Sequence, residues 1–193
     1  MPLQHHAPRE CDTDPAAPLR PTRYGCPVAS TTVRPALVDD AAELQALSTE
    51  AILRSAAEHY TEAQLQAWAG RRSVQAHVRM IERTTAFVAT DQDRIVGFAT
   101  VALDDRHGLA PGEVDQLFVR PDAGGRGVAR RLLSTVEQTA RAAGLTELVT
   151  HASWRAVPVF QRLGFAPVEV ETVTVGAQEL TRALMRKPLP RTP

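Results

Sequence analysis

At 193 residues the chain is long enough for one domain with a full core and too short for two. Its 22 basic and 22 acidic residues cancel, so no net field draws it to nucleic acid or to an anionic membrane. No run approaches the ~18 apolar residues of a membrane span, and no secretory signal is visible, so the expected location is cytoplasmic.

Residues 1–30 are rich in proline and in small or polar residues without periodicity, and read as a disordered N-terminal extension. His5, His6 and Cys11 lie there, without the four spaced ligands of a structural zinc site, so no metal is expected. Cys11 and Cys26 are the only cysteines. The rest of the chain therefore has no disulfide framework and no thiol nucleophile, which fits a reducing compartment.

Thr32–Val38 is the first strand candidate, and Asp39-Asp40 then cap a helix with Leu44, Leu47 and Ala51 on one face. Thr61 with Gln64 forms a capping-box pattern that opens the helical piece TEAQLQAWA. Arg72–Arg83 continues helically through Val74, Val78 and Ile81. Thr84–Thr90 and Arg94–Leu103, joined by Asp91-Gln92-Asp93, read as a hairpin.

Glu113–Val119 mixes polar and apolar residues like a part-buried strand, ended by Pro121-Asp122. Gly124, Gly125 and Gly127 follow, then a helix whose positions 129, 132, 133, 136, 140 and 143 share one face, with Gly144 as its cap. Glu147–His151 is a short strand, Arg155–Leu163 a helix closed by Gly164, Val168–Val173 and Thr181–Lys187 the last strands, and Pro188–Pro193 a frayed tail. The order predicts an α/β (α+β) fold, a mixed sheet with helices on both faces.

The glycines before the helix carry the chemistry. A helix start presents unpartnered N–H groups and partial positive charge, and glycines let a phosphate reach that backbone. Arg126, Arg130 and Arg131 add formal charge, so the run reads as a pyrophosphate cradle. It is not a P-loop, because the only lysine is Lys187. Nor is it a dinucleotide fingerprint, since Arg130 stands where the third small residue belongs.

Gly124-Gly125-Arg126-Gly127-Val128-Ala129 resembles the coenzyme A loop of the GNAT N-acetyltransferases, written Q/R-x-x-G-x-G/A, with Gly124 departing at its first position. Ala156–Phe165, AVPVFQRLGF, resembles the family segment A-x-x-x-Y-x-x-x-G-F, some thirty residues later and in the right order. The resemblance covers residues 31–188, with 189–193 as a tail. Within the family, YTEAQLQAWA and HASWRAVPVFQRLGF resemble the YafP-like subgroup.

The resemblance implies the GNAT acyl-CoA N-acyltransferase fold, a mostly antiparallel central sheet with a splay. It implies direct acetyl transfer from acetyl-CoA to the amine of a small molecule: an amino acid, a polyamine or an antibiotic-like acceptor. No metal, nucleic acid or membrane is involved, and family members often form homodimers. It assigns the pantetheine arm to the backbone of Leu117, Phe118 and Val119, and the diphosphate to Gly124, Gly125, Arg126, Gly127, Val128, Ala129 and Arg130. Ser153 falls where the family has an asparagine that steadies pantetheine. Glu113 matches a general-base position in some members, and Asp115 lies two residues on, on the same side of the strand.

Phe160 replaces the tyrosine that often protonates the leaving thiolate. With Gly124 it favours an alternative, a non-catalytic acyl-CoA-binding sensor. His59, Tyr60 and Trp68 fall near the acceptor wall, and His151 and Trp154 near the splay. His77 and His107 read as surface groups. A helix-turn-helix around Trp68-Ala69-Gly70 is disfavoured by the neutral charge.

Overall fold

A computed structural model of the chain describes residues 31–105 and 108–190. The expectations for residues 1–30, His107 and the last three residues lie outside the described residues. The elements in order are β1 (Thr32–Pro35), α1 (Ala41–Ser55), α2 (Glu62–Ala69), α3 (Val74–Arg83), β2 (Thr85–Asp91), β3 (Arg94–Val101) and β4 (Gln116–Val119). They continue with α4 (Val128–Ala142), β5 (Glu147–Ser153), α5 (Val157–Arg162), β6 (Ala166–Val175) and β7 (Gln178–Pro188). Among the described residues no helix is long and apolar enough to cross a membrane.

The strands form two antiparallel sheets, β1-β2-β3-β4 and β5-β7-β6. The β2–β3 hairpin turns at Gln92-Asp93, both with positive φ, as a two-residue turn between right-twisted strands requires. On one face α4 and α5 bury Leu132, Leu133, Val136 and Phe160 against Phe87, Val101, Leu148 and Met185. On the other, Leu44, Leu47 and Met80 pack on Val88, Ile95 and Phe98. A third cluster joins Ile52, Tyr60 and Leu65 to Val175 and Leu180 of the β6–β7 hairpin. Phe118 packs against the last two clusters and so sits where they meet.

Several local expectations change. The first strand stops at Pro35, and Val38–Asp40 form a short 3-10 turn. Asp40 does not cap α1 with its side chain. Its carboxylate turns back to accept from Arg34 at 2.8 and 2.9 Å and from Leu37 N–H at 2.7 Å. Thr61 and Gln64 do form the capping box. The third helix starts after Ser73, which caps Ala76 N–H, and it buries His77 and Met80 while Val74 is 45 % exposed. His77 is therefore not a surface group. It is 1 % exposed between Ser48 Oγ and Ser73 O, and burial lowers its pKa. On α4 the buried face opens at Val128 and does not include Ala143, which is exposed. At the C-terminus Pro188 ends β7, and Leu189 is buried with its N–H on Thr146 O, so this part of the tail is packed.

The strand expected at Glu113–Val119 is shorter, for a reason that shapes the molecule. Val114 N–H bonds Val149 O at 2.8 Å and Val149 N–H bonds Gly112 O at 3.0 Å, so Glu113 makes a single parallel bridge to β5. On its other edge the same segment bonds Ala102, just past β3, and from Gln116 onward only the pairing with β3 remains, Gln116 opposite Thr100. One residue bridge thus joins the two sheets, and beyond it β4 and β5 diverge into a V.

Gly112 makes this junction fit: its φ is +86°, and a Cβ there would stand 2.4 Å from Glu147 O. Gly112→Ala should cost about 2–4 kcal/mol, left-handed strain added to a backbone clash. Gly176→Ala, at φ +63° with nothing within 4 Å, should cost only about 1 kcal/mol. Urea denaturation of both variants checks this, and equal losses would show that the junction is not tightly packed.

Candidate active site

Two cavities open along the V. One, of about 380 Å³, runs between the end of α1, β4, the glycine loop and α5. The other, of about 520 Å³, lies between α2, the turn after it, β5 and the β6–β7 hairpin. Trp68, Leu117, Phe118, Ser153, Ala156 and Phe160 line both, so the chambers meet where the sheets part.

The smaller cavity is built on main chain. After β4 a 3-10 turn, Pro121–Ala123, leads into Gly124–Gly127 and then α4. No side chain caps that helix, and the first bond back is Arg131 N–H to Gly127 O at 3.1 Å. Gly125 and Gly127 sit at φ +74° and +81°, and a Cβ on either would meet nothing within 4 Å. The positive end of a 15-residue helix therefore faces open space. Val119, Gly124, Gly125, Gly127, Val128, Ala129 and Arg130 line it. The Arg126 side chain does not, because it reaches away to Asp91 at 2.6 Å. Arg120 roots the loop: Nε donates to Ile95 O at 2.7 Å, and its other nitrogens reach Glu43 and Glu50.

The larger cavity holds the ionisable groups, among them Arg72, Asp115, His151 and Arg182. His151 Nδ1 bonds Glu171, and Arg182 Nε donates to the same oxygen at 2.6 Å. Nδ1 facing the Glu171 carboxylate donates to it, whereas Nε2 makes no hydrogen bond among the described residues, its nearest carboxylate oxygen being Glu113 Oε1 at 3.9 Å. Burial would raise the pKa of Glu171, but the hydrogen bonds from His151 and Arg182 outweigh it and hold the carboxyl below its ordinary value.

The two carboxylates expected on one side of a strand are separated. Asp115 lines the cavity, whereas Glu113 accepts from Ala110 N–H at 2.9 Å and lies behind His151. One extra residue between them, with Glu113 bonded to Ala102 but Gln116 opposite Thr100, breaks the two-residue alternation.

Tyr60 and Trp68 do wall this chamber, packed edge to face with ring centroids 5.8 Å apart. His59 is exposed and lines neither cavity. Phe160, 3 % exposed, packs edge-on against Phe165 and brings no hydroxyl to the junction. Sequence reasoning missed Arg72, Glu171 and Arg182. Glu171 and Arg182 lie directly opposite on the β6–β7 hairpin, so the two-residue turn at Gly176 was the available signal. Arg72 sits between helices, where no periodicity points to it.

The acetyltransferase (GNAT) domain model matches residues 56–181. The IAA acetyltransferase of Azospirillum brasilense is 38 % identical over 82 residues, 41 % of this chain and 52 % of that protein, so the match spans about half of that relative. The uncharacterized N-acetyltransferase YafP of Escherichia coli is 29 % identical over 147 residues, 76 % of this chain and 89 % of the relative. A GCN5-related N-acetyltransferase from Rhodopseudomonas palustris has a crystal structure with TM-score 0.76 at 30 % identity, over 83 % of this chain and 96 % of that one. The yncA protein of Salmonella typhimurium, solved with acetyl-CoA, superposes with TM-score 0.58 at 22 % identity, over 85 % and 96 %. The splayed sheet with a glycine loop at a helix start is the acyl-CoA N-acyltransferase fold. The chain belongs to the GNAT family of N-acetyltransferases.

Tyr60 ties the larger chamber together. Its phenol donates to Thr181 O at 2.8 Å and accepts from Trp154 N–H at 3.0 Å, and burial raises its pKa. Tyr60→Phe leaves both main-chain groups without that partner and should cost about 1–3 kcal/mol in chemical denaturation. A loss below about 0.5 kcal/mol, the range of a neutral surface change, would show that the phenol is not needed there.

Proposed function

We propose that the chain moves the acetyl group of acetyl-CoA directly to the amine of a small molecule (an amino acid, a polyamine or an antibiotic-like acceptor) within a ternary complex. The observation that carries this reading is the meeting of the two cavities at the mouth of the V. A carrier whose diphosphate lies on the amides of Gly124–Arg130 and whose arm follows Leu117, Phe118 and Val119 would bring its thioester to the junction. Ser153, at that junction, is the side chain suited to hold the arm or the thioester by a hydrogen bond. The presence of acetyl-CoA in the Salmonella neighbour supports the choice of carrier.

On the acceptor side Asp115 is the carboxylate that attracts the ammonium. Its proton passes to the free Nε2 of His151, which Glu171 orients and Glu113 backs. The amine nitrogen then attacks the carbonyl carbon, a C–N bond forms, the C–S bond breaks and the thiolate leaves. The acylated nitrogen gives up its second proton to water, and with phenylalanine at position 160 the thiolate takes a proton from water in turn. Alignment of the two reactants supplies much of the acceleration.

Isothermal titration with acetyl-CoA and a free-thiol release assay over a panel of amines test this. The expected result is saturable binding with amine-dependent thiol release. Gly127→Val, which adds a branched side chain at a left-handed position in the cradle, should weaken binding roughly tenfold or more. His151→Gln should lower kcat while leaving acetyl-CoA affinity unchanged. Tight binding without thiol release on any amine would favour the sensor that Phe160 suggests. An absence of binding would overturn both.

A further inference from the structure

Two residues that line the larger cavity each carry a buried polar atom with no partner among the described residues, Arg72 Nε and Gln116 Oε1. One is a donor and the other an acceptor. The Gln116 amide is oriented by its own bond, because Nε2 donates to Asp115 Oδ2 at 3.2 Å, which turns Oε1 the other way. Arg72 makes no ion pair among the described residues. Its guanidinium stands over the Phe118 ring, 5.3 Å from the centroid, a cation–π contact that holds it in the cavity wall. Arg120, Arg126 and Arg182 are by contrast each paired with a carboxylate.

A part-buried guanidinium whose only nearby opposite charge, Asp115, makes no ion pair with it is costly to keep. Burial lowers its pKa, partly offset by Asp115, yet an arginine stays charged. A ligand that sets a carboxylate against the Arg72 guanidinium and an N–H against the Gln116 amide would supply the partners that the described residues do not. Tyr60, Trp68, Val173 and Leu180 supply an apolar wall to the same cavity.

We propose that the acceptor is an amino acid with an apolar side chain, its carboxylate read by Arg72 and its nitrogen by Gln116 and Asp115. The inference rests on the reading that this cavity takes the acceptor, and it narrows that reading. A polyamine would leave Arg72 unpaired and add positive charge beside Arg71 and Arg182, which line the same space.

The test is a titration of tryptophan fluorescence in the presence of coenzyme A, with N-acetyl-L-leucine and N-acetyl-L-phenylalanine against their C-terminal amides. Trp68 in the cavity wall is the reporter. Each carboxylate should bind roughly tenfold or more tighter than its amide, the loss that follows when a buried charge-assisted pair is removed. Arg72→Met should abolish that preference while leaving amide binding and coenzyme A affinity unchanged. Should the variant fail to fold, the carboxylate-to-amide ratio of the wild type still decides.

Equal binding of carboxylate and amide, no saturable binding of either, or a preference that survives Arg72→Met would overturn the inference. Carboxylate-selective binding without thiol release from acetyl-CoA and leucine or phenylalanine would leave the anion site standing and sink the transfer reading. Thiol release with neutral amines or polyamines but not with amino acids would do the reverse.

Discussion

The structure depends on one segment shared between two sheets. At Gly112–Val114 the chain bonds Ala102, just past β3, on one edge and Val149 of β5 on the other, and from Gln116 onward it keeps only the β3 side. Main-chain polar groups have to be paired wherever they are buried, and among the described residues no strand beyond Val114 pairs the edge that turns towards β5. The sheets are therefore pinned at Glu113–Val149 and free to part beyond it. Thr150 strengthens the pin, its hydroxyl donating to Val114 O at 2.9 Å. A continuous β4–β5 ladder would close the gap in which both cavities meet.

The two sides of that gap use different physics. The smaller cavity offers main-chain amides and helix polarity, and two arginines beside it are paired elsewhere, Arg120 with Glu43 and Glu50 and Arg126 with Asp91. In the larger cavity the side chains carry the charge, with Arg72, Asp115 and the His151–Glu171–Arg182 group around one space. Zero net charge over the whole chain conceals this local asymmetry. Phe118 stands between the sides, touching Trp68, Phe98 and Arg72 in turn. Its ring ties the helical wall of the larger cavity to the strand that borders the smaller one.

Features set by near neighbours in the chain were legible, because their physics is local. The Thr61–Gln64 capping box, the turn after Asp91 and the glycine loop before α4 each need only a few consecutive residues to be specified. The same holds for most of the apolar face of α4. Misreadings arose where a distant group competed. Asp40 was free to cap a helix until Arg34 drew its carboxylate back. His77 looked polar enough for the surface, yet it lies against Phe98 with a serine on each ring nitrogen's side.

By itself the amino-acid order determined the class of fold and the location of the glycine loop, since helix periodicity, turn chemistry and glycine placement act over short spans. Only the tertiary structure decided that Glu113 and Asp115 are parted, that Glu171 joins His151 to Arg182, and that Arg72 lines a cavity without an ion pair among the described residues. Those outcomes depend on which sheet each strand joins and on what burial removes from water. Such facts arise between segments far apart in the chain, and no local pattern records them.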